Sequence, residues 1–225
     1  NLVTIKGKLS ITGNGATVRN LNVTNSGNAG YIGAKDVLIE GCEVVGGNGF
    51  RYCYTSGTVT FKDSTISGST YGIHFDGNAG GEIVIDNCVI KGWTSFASTI
   101  TQVTITGSKF VEGNYNQLRF YQDAEITNTT FNANMAIDSR QAGVTLEFND
   151  CEVEGGASLD SIIYEGTLKD STIVVDDVTY NVAVVNNGVK TYFETLEEAA
   201  YVHGMDPDIL VARLNEFLGA MEENK

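Results

Sequence analysis

The side chains best suited to chemistry in this 225-residue sequence are spread along it, each set between apolar neighbours. His74 stands between Ile73 and Phe75, Arg119 between Leu118 and Phe120, and Asp138 follows Ile137. That alternation is the mark of a strand whose neighbouring residues point inward, so His74, Arg119 and Asp138 form the candidate polar row, with Arg51 beside Tyr52 as a further outward residue. An elimination reaction would need a base such as Arg or Lys, and calcium or a second cation to neutralise an adjacent carboxylate. Glycoside hydrolysis would instead need two or three carboxylates around the scissile oxygen. Asp76, Asp138 and Glu165 are too dispersed to supply that set, and Arg119 with Asp138 reads first as a salt bridge between neighbouring coils.

A second group is aromatic. Tyr71, Trp93 and Tyr115 recur at similar positions of successive repeats and are the candidate ligand-binding residues, because a row of exposed rings offers flat apolar surface with a polar rim to a sugar. The competing reading is that these rings cover a corner of the core. Metal chemistry has little to draw on: there are two histidines, His74 and His203, and no Cys-x-x-Cys pair among the four cysteines. No resident cofactor is expected, and calcium is the one cation the acidic composition would suit.

The formal charge of −14 argues against nucleic acid, whose phosphates reward Lys and Arg. Acidity is read chiefly as solubility. No apolar run approaches the ~20 residues of a spanning helix, so membrane insertion is not expected.

The elements that must position these residues come from a repeat. A six-residue unit, apolar-x-(Asn/Asp/Gly)-small-x-apolar, begins at Val18, Ile39, Phe61, Ile85, Ile105, Ile126, Phe148 and Leu168. Its third residue is Asn20, Gly41, Asp63, Asn87, Gly107, Asn128, Asp150 and then Asp170, types that tolerate left-handed backbone and so predict a sharp bend in every repeat. Its fourth is small, including Cys42, Ser64, Cys88, Ser108 and Cys151, and its sixth runs Val23, Val44, Ile66, Ile90, Phe110, Phe131, Val153, Ile173. Two short strands meeting at a corner, stacked ~4.8 Å apart, give a parallel solenoid of eight coils. Cys42, Cys88 and Cys151 are two and three coils apart in one column, too far for disulfides, and are expected as buried free thiols.

Val37 to Val44, Ile83 to Ile90 and Val103 to Phe110 resemble coils of the pectin-lyase-like right-handed parallel β-helix superfamily. The resemblance covers roughly residues 3 to 178 and implies an all-β right-handed parallel β-helix, with a substrate groove along one strand face in its enzymes. It implies no single activity, because that fold carries lyases, hydrolases, tailspikes and adhesins. The polygalacturonase signatures are absent as a set.

Residues 1–178 are therefore expected as the β-helix and 179–225 as a cap. The cap would be a hairpin turning at Asn186 to Gly188, a helix from the capping box Thr195/Glu198 to Gly204, and a second helix opened by Asp206-Pro207. Asn187 to Ala200 is similar to a strand-plus-helix unit common in secreted surface proteins of Gram-positive and gut bacteria. The function expected is a non-catalytic extracellular or cell-surface module that binds glycans or another surface protein, or spaces a larger protein. The alternative is a polysaccharide lyase or glycoside hydrolase acting on an acidic polysaccharide.

Overall fold

The computed structural model describes residues 3–76, 80–163 and 171–176, apart from the Asp160 side chain, and the backbone of Val178–Tyr180, Val182–Asn186 and Val189–Phe193. Residues 1–176 form one compact unit. Its described part is an all-β, right-handed parallel solenoid of about seven turns.

One sheet holds the strands that precede each bend, in the order Thr17–Arg19, Val37–Glu40, Thr58–Lys62, Glu82–Asp86, Gln102–Thr106, Ala124–Thr127, Thr145–Asn149 and Thr172–Val175. The other holds those that follow it: Val3–Lys6, Leu21–Ile32, Glu43–Cys53, Thr65–Phe75, Val89–Ser95, Lys109–Val111, Thr130–Phe131 and Glu152–Val153. Leu9–Ile11, Gln117–Phe120 and Ala136–Ser139 extend the second sheet beyond a further turn.

Register follows the repeat. Val18, Ile39, Phe61, Ile85, Ile105, Ile126 and Phe148 each pair with the next in one column. Val23, Val44, Ile66, Ile90, Phe110, Phe131 and Val153 do so in the other, and all of the latter are buried. Each such Val, Ile or Phe contributes about 1.5–3 kcal/mol by leaving water, so the columns hold the coils together. Between them the chain turns at Asn20, Gly41, Asp63, Asn87, Gly107, Asn128 and Asp150, whose φ angles lie from 47° to 60°. Asn and Asp are among the few residues with a Cβ that accept this left-handed conformation, and their side chains also link bend to bend across coils, as Asn87 Nδ2 does in donating to Asp63 Oδ1 at 2.6 Å.

The small fourth-position residues do more than fill space. The Cys42 and Cys88 N–H groups donate to Ser64 Oγ and Ser108 Oγ of the next coil, each at 3.0 Å. Those hydroxyls in turn donate to the Lys62 and Thr106 carbonyls, so the column satisfies backbone groups that the bend removes from the strand ladder. Cys42 and Cys88 are buried free thiols, as expected; Cys151 is free but only half-buried, and Cys53 is a fourth free thiol, fully buried.

Two expectations are corrected. The solenoid has about seven turns rather than eight, and Ile173 stacks on Leu146 rather than on Val153. The last bend among the described residues falls at Asp176, with φ 49°. After Val153 the chain spends residues on two short 3₁₀ turns, Glu154–Gly156 and Leu159–Ile162, so a constant period places the last unit too early. Asp176 Oδ1 then accepts the N–H of Asp150, 26 residues back, at 2.8 Å. Leu168, Asp170 and Glu165 lie outside the described residues.

Residues 177–225 form a separate unit. In it Val182–Asn186 pairs antiparallel with Val189–Phe193, Val182 opposite Phe193 and Asn186 opposite Val189. The two helices expected from Thr195 onward lie outside the described residues.

Candidate functional site

The outward face of the second sheet carries the candidate residues, and backbone irregularities there set their aim. Phe50 pairs with Ile73 and Cys53 with Phe75, so Arg51 and Tyr52 together oppose the single residue His74. This bulge holds Tyr52 at φ 58°, a left-handed conformation that an aromatic residue adopts only when its surroundings impose it. Its result is that Arg51 and Tyr52 both project outward. One coil on, Trp93 pairs with Tyr71 and Ser95 with His74, so here the extra residue lies on the strand that carries Tyr71 and His74. Gly92, at φ 102°, precedes Trp93; a Cβ there would press on Gly68 O and Gly72 N at 2.6 and 2.8 Å, so glycine is what lets the chain turn Trp93 into place.

The side chains form a ladder along the coils. The Arg51 guanidinium lies 4.4 Å from the Tyr52 ring centre and 4.6 Å from that of Tyr71. Tyr71 stacks on Trp93 with centroids 5.0 Å apart and 19° between planes, and Arg119 covers Trp93 at 5.0 Å. His74 tilts against Tyr71 at 4.7 Å and meets Tyr52 edge-on at 6.1 Å. Tyr71 is also fixed through its backbone: its N–H donates to Oδ1 of buried Asn48, whose amide donates to Asn28 Oδ1.

At the far end Arg119 and Asp138 occupy paired positions. Arg119 Nε donates to Asp138 Oδ1 at 3.0 Å and its Nη2 to Oδ2 at 3.0 Å, while Arg140 Nε reaches the same Oδ2 at 3.1 Å. Burial would depress the Arg119 pKa, but the hydrogen bonds and charge of Asp138 raise it above its ordinary value. Burial pushes His74 down, aided by Arg51 and opposed by Asp76. Several polar atoms of this face are buried without a hydrogen-bond partner, among them Arg51 Nε, His74 Nδ1, Trp93 Nε1 and Gln117 Oε1.

The structure thus brings His74, Arg119 and Asp138 onto one face, with Ser95 in register between His74 and Arg119. It brings Tyr71 and Trp93 into contact, but their faces lie against each other and against guanidinium groups, leaving ring edges outward. Tyr115 stands apart, 48% exposed, and makes no ring contact among the described residues. The equally exposed Tyr52 belongs to the ladder and was not foreseen as a ligand residue. Its signal in the sequence is the spacing of Phe50 and Cys53, both inward, which breaks strict alternation by one residue. Asp76 and Asp138 lie on separate coils.

A second aromatic pair lies nearer the start of the chain. Tyr31 meets Tyr54 edge-on at 6.2 Å, Lys8 Nζ sits 4.7 Å above Tyr31, and the hydrogen bond with Tyr54 raises the Tyr31 pKa. Beside Tyr54 is a depression of about 310 Å³ that Asn14, Lys35 and Ser56 also line. Among the described residues no cluster of three or more His, Cys, Asp or Glu is placed to hold a metal ion.

Comparison with curated proteins finds no match, and neither does comparison with solved structures. A family model described as the right handed beta helix region matches residues 7–192. With the stacked parallel coils, that match shows that the chain belongs to the right-handed β-helix family.

Proposed function

We propose that this chain is a non-catalytic module of a secreted or cell-surface protein that binds a glycan along the sheet face from Tyr52 to Arg119. The observation that carries this reading is the ladder Tyr52, Arg51, Tyr71, Trp93, Arg119, which presents ring edges and guanidinium groups from consecutive coils in one line. A linear array of amphipathic edges suits a linear polymer, whose apolar patches can lie on the rings while its hydroxyls meet the polar rim and the guanidinium groups. Absence of catalysis is favoured by the state of Asp138, the one carboxylate of the row. Both its oxygens are engaged by Arg119 and Arg140, which leaves them poorly placed to take a proton or attack carbon.

The test is incubation of the whole chain with acidic and neutral polysaccharides, with and without calcium, while retention and product formation are followed together. Retention without new unsaturated or reducing ends is expected. New ends would establish the lyase or hydrolase alternative, and failure to retain any polysaccharide would remove glycan recognition.

A further inference from the structure

Among the described arginines, Arg19 pairs with Glu40, and Arg119 and Arg140 both pair with Asp138. Arg51 differs. In a chain with 28 acidic and 14 basic side chains, it makes no ion pair with any described residue, and none of its N–H groups donates to one. Its guanidinium lies instead over the Tyr52 ring at 4.4 Å and over the Tyr71 ring at 4.6 Å. Aromatic rings hold the charge without accepting its N–H groups, and with Nε buried the two Nη groups are left as the hydrogen-bonding fork. The bulge that creates this arrangement costs energy, since Tyr52 sits at φ 58°.

A planar fork of this kind matches two oxygens of one carboxylate or sulfate. Elsewhere on the face, Arg119 and Arg140 both have their N–H groups engaged by Asp138, whereas Arg51 has no carboxylate among the described residues. We infer that Arg51 is an anion-recognition residue, and that the polymer bound along the ladder carries carboxylate or sulfate groups that dock on the Arg51 fork. This rests on the glycan-binding reading above and adds the charge class of the ligand.

The test uses the whole chain against four probes: polygalacturonate, its fully methyl-esterified form, dextran sulfate and dextran. Wild type is expected to bind at least one charged probe on the order of tenfold more tightly than its neutral counterpart, the scale of a charge-assisted hydrogen-bonded contact. The polygalacturonate and dextran sulfate arms separate carboxylate from sulfate. Arg51→Gln is expected to erase the preference without erasing binding to the neutral probes where that exists, and Arg51→Lys to restore part of it. Equal binding of charged and neutral probes by wild type, or an unchanged preference in Arg51→Gln, overturns the inference and leaves glycan recognition standing. No binding to any of the four overturns both. Should Arg51→Gln fail to fold, the wild-type preference and Arg51→Lys still decide.

Discussion

Trp93 lies face to face with Tyr71, 5.0 Å between centroids and 19° between planes, and its other face is covered by the Arg119 guanidinium at 5.0 Å. Both faces of the indole are thus used within the protein, so Trp93 contributes to stability as well as to the outward edge. Trp93→Ala is expected to cost about 2 kcal/mol, combining a stacked pair, a cation–π contact and lost buried area. Tyr115→Ala, which removes no ring contact, is expected to change stability by less than about 0.5 kcal/mol. Urea unfolding midpoints at constant slope measure both.

Asp138 is 2% exposed and holds two arginines. Asp138→Ala would strand the Arg119 guanidinium in a largely buried position, and the expected loss is about 3 kcal/mol. Replacing both partners, Arg119→Met with Asp138→Leu, is expected to recover most of it, because the one charge left without its partner is Arg140, whose side chain is 35% exposed and can be solvated. The coupling in a double-mutant cycle is the measurement.

Tyr52 gives a backbone prediction. Because left-handed φ is strained for residues with a Cβ, Tyr52→Gly is expected to be about 1 kcal/mol more stable than Tyr52→Ala, although both remove the same ring contacts. A Gly variant no more stable than the Ala variant would show that the bulge is relaxed in solution.

The thiols supply a pH dependence. Burial pushes Cys53 and Cys88 from an ordinary value near 9 to about 12, and Cys151 to about 11. The folded chain therefore holds these protons where the unfolded chain has released them, so their contribution is complete below about pH 9 and is lost as pH rises toward 12. Stability measured from pH 8 upward, roughly, should fall, and Cys53→Ala should fall less steeply than wild type. Native protein should also resist thiol reagents that label it fully once unfolded.

The bends were legible in the sequence because a left-handed corner restricts residue type at Asn20, Asp63 and Asn128, and the inner columns because burial demands apolar side chains every second residue. The last coil was not: nothing in the types from Glu154 to Ile162 states that two 3₁₀ turns intervene and that Ile173 joins the column of Leu146. At the site, alternation placed His74, Arg119 and Asp138 on one face, and their shared register follows from equal coil geometry. It failed at Tyr52, where a bulge adds a residue, and at Trp93, whose contacts depend on a glycine turn and on register shifts. Such shifts are set by three-dimensional packing of neighbouring coils rather than by local period.

The central claim is that the ladder face binds a glycan, and the protein carries its own reporter there, since Trp93 is its one tryptophan. Titrating the intact chain with polygalacturonate and with dextran sulfate, while recording tryptophan emission and retention together, tests the claim most directly. A saturable emission change that tracks retention, and that Tyr52→Ala weakens, is the result expected. Retention with unchanged Trp93 emission and undiminished by Tyr52→Ala would place binding elsewhere and contradict the claim.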